Sequence, residues 1–142
     1  ATLSTCPEYA TFLTELASVS VPTEQTLAKS VYEAGDWTQD TAFAVFEINV
    51  RNESSYIEAY KKFTDAAVAN GQLTSSFGVE RVVAGDEYTH FAFIGGTDMA
   101  NLMATIDLLN MDNADFAEFQ NSVRRNRSIV RRGIVTPIKA WD

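Results

Sequence analysis

The sequence predicts an α+β fold, in which a four-stranded antiparallel sheet is built from elements in the order β-α-β-β-α-β. Three short runs rich in apolar residues are typical of strands and lie at 42–50, 75–84 and 88–94. A strong helical pattern separates the first two runs, and a tight turn joins the second and third. A length of 142 residues, 46% of them hydrophobic, suits a single domain of this kind.

Two helices are predicted ahead of the sheet. The first begins near Pro7 and has apolar residues at helical spacing, namely Tyr9, Phe12, Leu13 and Leu16. The second runs from Pro22 to Gly35 and places Leu27 and Val31 on one face. Both patterns predict amphipathic helices that bury one face against another element.

The chain therefore divides into two parts. An N-terminal helical extension covers residues 1–40, and the α+β domain covers residues 41–142. Apolar positions in the extension recur about 90 residues later in the last helices of the domain. The extension is either the remnant of a preceding repeat or a plain helical addition that packs on the domain or on a partner.

The first predicted strand, Ala42–Val50, has two different faces. One face is apolar throughout and consists of Ala44, Phe46, Ile48 and Val50. The other changes from apolar to polar along the strand, through Phe43, Val45, Glu47 and Asn49. A helix capped by Asn52 or Ser54 follows and ends at Gly71.

The second half of the domain repeats the alternation of strand and helix. A hairpin turn at residues 85–87 leads into the strand Tyr88–Ile94, and Thr97 caps a broken helix after that strand. The chain ends in a strand over Ile129–Trp141. This order is the ferredoxin-like split βαβ arrangement, in which the helices cover one face of the sheet and the other face is left to be buried or used.

The run FEINV followed by a helix, the segment GDEYTHFAFI and a last strand ending in Trp141 resemble the dimeric α/β-barrel superfamily. Its members include antibiotic-biosynthesis-monooxygenase-like and stress-responsive barrel proteins, and the resemblance covers about residues 41–141. The resemblance implies a homodimer in which two sheets face each other and enclose a barrel. The partly apolar second face of the first strand is compatible with such burial.

His90 is the only imidazole in the chain, so any histidine-dependent chemistry must use it. The ferredoxin-like order makes the first and third strands antiparallel neighbours, which would bring Glu47 near His90 on the barrel-facing side. A carboxylate beside an imidazole raises the pKa of the imidazole and fixes its tautomer. We therefore name His90 and Glu47 as candidate catalytic residues. The alternatives are a purely structural pair, or no contact because the register differs.

Six other residues are candidates for binding a ligand. The apolar lining is predicted to include Phe43, Val45 and Trp141, and the weaker polar candidates near the rim are Asn49, Arg81 and Tyr88. With this lining, we expect a homodimeric barrel protein that binds a small, mainly apolar molecule.

Whether the protein is an enzyme is left open by the sequence. If the protein is an enzyme, the resemblance implies that it is a cofactor-independent monooxygenase or isomerase in which His90 and Glu47 transfer protons. The alternative is a non-catalytic structural or assembly module whose barrel is filled with side chains.

Composition argues against several other classes of function. One Cys and one His cannot form a disulfide framework or a structural zinc site, and no nucleotide-binding glycine loop is present. We therefore expect neither a metal nor a cofactor. The longest apolar run, Ala42–Phe46, is far shorter than the roughly 20 residues of a membrane helix, so we expect a soluble protein with no membrane partner. An N-terminal Ala1 is compatible with removal of a signal peptide, which leaves the compartment open, periplasmic or secreted locations included.

The net charge of −8 conceals two regions of opposite sign. Residues 1–120 hold five basic and eighteen acidic residues, and residues 121–142 hold six basic residues and one acidic residue. The basic group includes Arg124, Arg125, Arg127, Arg131 and Arg132. We expect these arginines to pair with the acidic body, within a chain or across a dimer. We expect no binding to nucleic acid, because that requires neutralising phosphates.

Overall fold

The computed structural model describes residues 7–19, 26–85 and 87–137. The helices are α1 (Pro7–Val19), α2 (Glu53–Ala69), α3 (Met99–Ile106) and α4 (Ala114–Val123), with a single 3₁₀ turn at Trp37–Gln39. The strands are β1 (Leu27–Ala34), β2 (Ala42–Val50), β3 (Phe77–Ala84), β4 (His90–Gly96) and β5 (Arg127–Val135). The helix predicted near Pro7 and the helix predicted after the first strand of the domain are confirmed as α1 and α2.

The five strands form one antiparallel sheet in the spatial order β1-β3-β4-β2-β5. The register of β2 and β4 places Ile48 opposite His90 and Glu47 opposite Phe91. On the other side of β4, Arg81 of β3 also lies opposite His90. Directly opposite residues share a face, so Ile48, Arg81 and His90 are on one side of the sheet. Glu47 and Phe91 are on the other side.

The α+β class is confirmed, but the sheet has five strands instead of the expected four, and the ferredoxin-like arrangement is not confirmed. The extra strand, β1, occupies Leu27–Ala34, where the spacing of Leu27 and Val31 predicts a helix. β1 pairs along the whole outer edge of β3, from Ala84 to Phe77, and so supplies backbone partners that this edge would otherwise lack. The pairing of β1 with β3 has therefore overridden the weak helical preference of this segment. The pairing of two sheets across a homodimer is not confirmed by this single chain.

Short polar side chains begin three of the helices. Asn52 caps α2 and Asn113 caps α4, each accepting a backbone N–H three residues on, at 3.0 and 3.1 Å. Asp98 caps α3 and accepts the N–H of Asn101 at 2.8 Å. The cap of α3 is therefore one residue beyond Thr97, the predicted position.

The hydrophobic core lies between one face of the sheet and the helices α2 and α4. Its buried residues are Ile48, Tyr56, Tyr60, Phe63, Ala67, Leu73, Phe77, Val79, Ala92, Ile94, Phe119 and Val123. Phe63 of α2 and Phe119 of α4 stack with ring centres 5.5 Å apart. Leu102 of α3 packs on Ala42 and Ala44 of the same sheet face. The helices α2, α3 and α4 therefore all cover one side of the sheet.

The C-terminal strand is shorter than predicted. β5 ends at Val135, and Trp141, the predicted end of the last strand, lies outside the described residues. The division of the chain near residue 40 and the origin of the leading segment remain predictions. Within residues 7–19, 26–85 and 87–137, no helix has the length and apolar character needed to cross a membrane.

Candidate functional site

The side of the sheet turned away from α2, α3 and α4 has an apolar hollow, which we call the open-face hollow. Its volume is about 400 Å³, and it is lined by Glu33, Trp37, Phe43, Val45, Glu80, Phe91, Phe93 and Val135. Strand alternation explains this set, because Phe91 and Phe93 are two residues apart on β4 and Val45 lies opposite Phe93. The two candidates Phe43 and Val45 thus lie on this open face of the chain.

The aromatic rings of the hollow are held in defined positions. Phe43 and Phe93 form an edge-to-face pair with ring centres 6.1 Å apart. Gly78 lies opposite Phe93 on β3, and a Cβ at this glycine would come within 2.6 Å of the phenylalanine ring. The absence of a side chain at Gly78 therefore lets the Phe93 ring lie against the backbone of β3.

Trp37 reaches the hollow from the 3₁₀ turn that follows β1. The backbone N–H of Asp40 donates to the carbonyl of Trp37 at 3.1 Å. The buried carboxylate of Asp40 accepts the N–H of Ser76 at 3.0 Å and its hydroxyl at 2.5 Å. Since Ser76 immediately precedes β3, Asp40 ties the turn that carries Trp37 to the sheet.

Two carboxylates lie among these rings. Burial raises the pKa of Glu80, a hydrogen bond from Ser30 opposes this shift, and the charge of Glu33 raises the pKa further. Within residues 26–85 and 87–137, no lysine or arginine forms an ion pair with Glu33 or Glu80. The open-face hollow is therefore apolar, aromatic and negatively charged.

Glu47, the predicted catalytic partner, lies at the side of this face and is already paired. Its Oε2 accepts from Nε of Arg131 at 2.8 Å, and its Oε1 accepts from Nη2 at 2.7 Å. His90 lies on the opposite face of the sheet, across from Ile48. The structure therefore does not bring Glu47 and His90 together, because the register places them on opposite faces. Their catalytic roles remain predictions.

His90 instead contacts Glu53, the first residue of α2. The Nε2 atom of His90 lies 2.9 Å from Oε2 of Glu53, and Arg81 donates to the same carboxylate through Nε at 2.5 Å and Nη2 at 2.6 Å. Arg81, followed by His90, lowers the pKa of Glu53 to about 2. On the other side of the ring, Nδ1 lies 2.9 Å from the Thr89 hydroxyl. The imidazole is only 5% exposed and has a partner at each nitrogen, as expected of a structural anchor.

The remaining predicted residues occupy separate positions. Oδ1 of Asn49 accepts the backbone N–H of Thr89 at 3.1 Å and so holds the segment before β4. Tyr88 and Arg81 line a shallow depression beside His90. Trp141 lies outside the described residues. In the described part of the chain, no three His, Cys, Asp or Glu side chains come together in a way that could hold a metal ion.

Much of the hollow could not be foreseen from the sequence. Phe91 and Phe93 carried a usable signal, since they alternate on one strand. Glu33 and Trp37 carried none, because their placement depends on β1, which the sequence predicts as a helix. Glu53 was not among the predicted site residues, and its contact with His90 depends on register.

Two exposed arginines before β5, and a third beside them, have no carboxylate partner within the described part of the chain. The backbone N–H of Arg51 donates to the carbonyl of Asn126 at 2.9 Å, which places Arg51 beside the turn containing Arg124 and Arg125. We call Arg51, Arg124 and Arg125 the basic end. None of the three forms an ion pair with another residue of the described ranges. The expected pairing with the acidic body is observed for Arg131, through Glu47.

The chain is similar in fold to a solved protein structure. No protein-family model matches the chain, and no curated protein matches it. The structure of a major regulator of staphylococcal pathogenesis aligns with a TM-score of 0.50 and 14% sequence identity, covering 84% of this chain and 73% of that chain. At this level of identity, the similarity shows a shared fold alone.

These findings correct three expectations. The assignment to the dimeric α/β-barrel superfamily is wrong, since the sheet has five strands and the structural neighbour is a regulator. The expected barrel that binds a small, mainly apolar molecule is contradicted, because the structural neighbour is a regulator. The exclusion of nucleic acid also does not stand, because the basic end forms no ion pair with the acidic body in the described ranges.

Proposed function

We propose that this chain is a regulatory protein that acts by binding a partner protein through its open sheet face. The observation that carries the proposal is the open-face hollow, where aromatic and aliphatic side chains lie on the side of the sheet opposite α2, α3 and α4. Contiguous exposed apolar surface of this kind marks protein interaction sites. Burying it against a partner is favourable by about 25 cal/mol of free energy per Å². The similarity to a regulator of pathogenesis supports the regulatory part of the proposal.

Exposure supports the choice of this face as the docking surface. Two residues of the hollow's lining are well exposed, Trp37 at 44% and Val135 at 49%. The phenylalanine rings of the hollow are held by the sheet register, so little side-chain entropy is lost when a partner binds. A rigid aromatic centre of this kind is typical of interface hot spots.

Charge defines the partner. Glu33 and Glu80 make the hollow acidic, and a segment that presents apolar and basic side chains together complements it. Phosphates would be repelled from the same face. A partner protein with an exposed amphipathic, basic segment therefore fits the open-face hollow better than a nucleic acid does.

Binding of the open face can be tested by titration calorimetry with a short peptide that alternates leucine and lysine. We expect binding by the native chain and at least about tenfold weaker binding by Phe91→Ser, which removes a ring from the hollow. The matched control is Val68→Ser, which removes an apolar side chain that is 48% exposed on α2. Equal affinity for Phe91→Ser and the native chain would overturn the proposal.

Self-association provides a second check. If light scattering reports twice the 15.7 kDa of one chain, and Phe91→Ser restores the single mass, a second copy covers this face and the partner-protein proposal is overturned. A single mass, together with peptide binding, supports the proposal.

The basic end favours a second candidate function, binding to nucleic acid. Arg51, Arg124 and Arg125 are exposed, and a backbone hydrogen bond from Arg51 to Asn126 brings Arg51 near the other two in space. None of the three lines the acidic hollow. Guanidinium groups that lack carboxylate partners are suited to phosphates. Fluorescence anisotropy with labelled single-stranded RNA and duplex DNA tests this candidate. Binding that weakens with salt and is lost in Arg124→Ser/Arg125→Ser would support it, and no binding at low salt would eliminate it.

A further inference from the structure

We infer that the open-face hollow is a recognition site for the ammonium group of a lysine or methylated lysine side chain. This inference rests on the proposed function and specifies the residue by which the partner is recognised. It is based on two features of the hollow that occur together, a wall of aromatic rings and a pair of carboxylates.

The rings supply the first part of such a site. The faces of aromatic rings attract cations through their quadrupole, and tryptophan is the strongest of them. Trp37, Phe43, Phe91 and Phe93 all line the same space of about 400 Å³. The edge-to-face arrangement of Phe43 and Phe93, with ring planes 68° apart, turns their surfaces in different directions. A cation in the hollow would therefore meet aromatic surface on more than one side.

The carboxylates supply the second part. Glu80 is partly buried and Glu33 adds negative charge beside it, and burial followed by this charge raises the pKa of Glu80. A cation bound between them would relieve this repulsion, whereas a neutral apolar group would increase it by removing water. The hollow is thus better suited to a charged side chain than to an aliphatic one.

Lysine fits this combination because its two ends differ. The four-carbon stem packs on apolar side chains such as Val45 and Val135, and the ammonium lies near rings and carboxylates. Methylation keeps the charge and enlarges its apolar surface, which aromatic surfaces tolerate well. A phosphate or carboxylate in the same place would meet like charge.

The walls of the hollow do not need to rearrange before binding. Asp40 and Ser76 hold the turn that carries Trp37, and Gly78 leaves room for the Phe93 ring. Both contacts are made within the chain and do not involve a partner. Preorganisation of this kind improves affinity by reducing the ordering cost of binding.

The test compares three otherwise identical leucine-containing peptides whose alternate positions are lysine, trimethyl-lysine or norleucine, titrated into the intact chain. We expect both charged peptides to bind at least about tenfold more tightly than the norleucine peptide. In the double variant Glu33→Gln/Glu80→Gln, the ratio of the affinity for the charged peptides to that for the norleucine peptide should fall close to one. In Trp37→Leu the same ratio should fall about threefold or more. Glu58→Gln removes an exposed carboxylate from α2, on the other side of the sheet, and should keep the full preference.

The outcomes separate this inference from the proposed function. Equal or tighter binding of the norleucine peptide would overturn the ammonium site and leave the docking face in place. An equal loss of preference in Glu58→Gln would also overturn it, since the effect would then reflect overall charge. Failure of all three peptides to bind would overturn the proposed function together with the inference. Circular dichroism of each variant confirms that it is folded before its affinity is used.

Discussion

The Glu53 carboxylate lies 2.9 Å from Nε2 of His90 and joins the first turn of α2 to the first residue of β4. Arg81 donates two hydrogen bonds to the same carboxylate, so three elements meet at one charged group. His90 contributes through this contact and through Thr89, both on the helix-covered face of the sheet. The single imidazole of the chain therefore supports the fold, and the proposed binding surface lies on the other face.

Removal of the imidazole tests this structural role. We expect His90→Ala to lower the free energy of unfolding by about 1–3 kcal/mol, because the buried ring and its two polar contacts are lost. His90→Gln keeps a polar group near Glu53 and should lose less. Urea denaturation measures both values. A change of less than about 0.5 kcal/mol in His90→Ala would contradict an anchoring role.

The stability of the protein should depend on pH through Glu53. Its pKa is lowered to about 2 in the folded chain, whereas a glutamate in an unfolded chain titrates at about 4.3. Between these values the unfolded chain binds more protons, so the stabilisation is present above about pH 4.3 and is lost as the pH falls toward 2. Urea denaturation of the native chain and Glu53→Gln should therefore differ near neutral pH and converge in acid. The pKa of Asp36 is also lowered, but Asp36 is present in both chains, so its contribution cancels in the difference between their unfolding free energies. A constant difference at all pH values would contradict this assignment.

Adding a methyl group at Gly35, between β1 and the Trp37 turn, should destabilise the protein. Gly35 has φ of +83°, and a Cβ there would lie 2.7 Å from Cα of Ser76. Gly71 has φ of +67° and open space around its Cβ position. We expect Gly71→Ala to cost about 1–2 kcal/mol from backbone strain alone, and Gly35→Ala to cost more because a steric clash is added. Thermal denaturation of the two variants makes the comparison. Equal costs would show that the contact at Gly35 relaxes freely.

The two faces of the sheet should respond differently to truncation. Ile48 is fully buried beneath the helices, so Ile48→Ala should lower the free energy of unfolding by about 2–5 kcal/mol. Phe91 lies half-buried on the open face, and Phe91→Ser should cost less than Ile48→Ala while removing peptide binding. Urea denaturation and calorimetry of the same samples separate the two effects. A larger stability loss for Phe91→Ser would mean that the open face contributes more to the stability of the chain than its half-buried side chains imply.

The sequence predicts the parts of the fold that depend on local patterns. Alternation identified β2, and a short polar residue before an amphipathic run gave Asn52 as one of two candidate caps. It failed at β1, because Leu27 and Val31 have helical spacing and strand formation there depends on pairing with β3. It also failed for Glu47 and His90, since the face on which each side chain lies depends on a register that no single strand specifies. Predicting the open-face hollow would have required both the pairing of β1 with β3 and the register of β2 with β4.

The most direct test of the proposed docking face is an amide NMR titration of the native chain with the leucine–lysine peptide. We predict that chemical-shift changes concentrate on β2 and β4 around residues 43–45 and 91–93, on the 3₁₀ turn at Trp37–Gln39 and near Glu80. Changes confined to the outer faces of α2 and α4, or to the basic end, would contradict the claim that the open sheet face binds the partner.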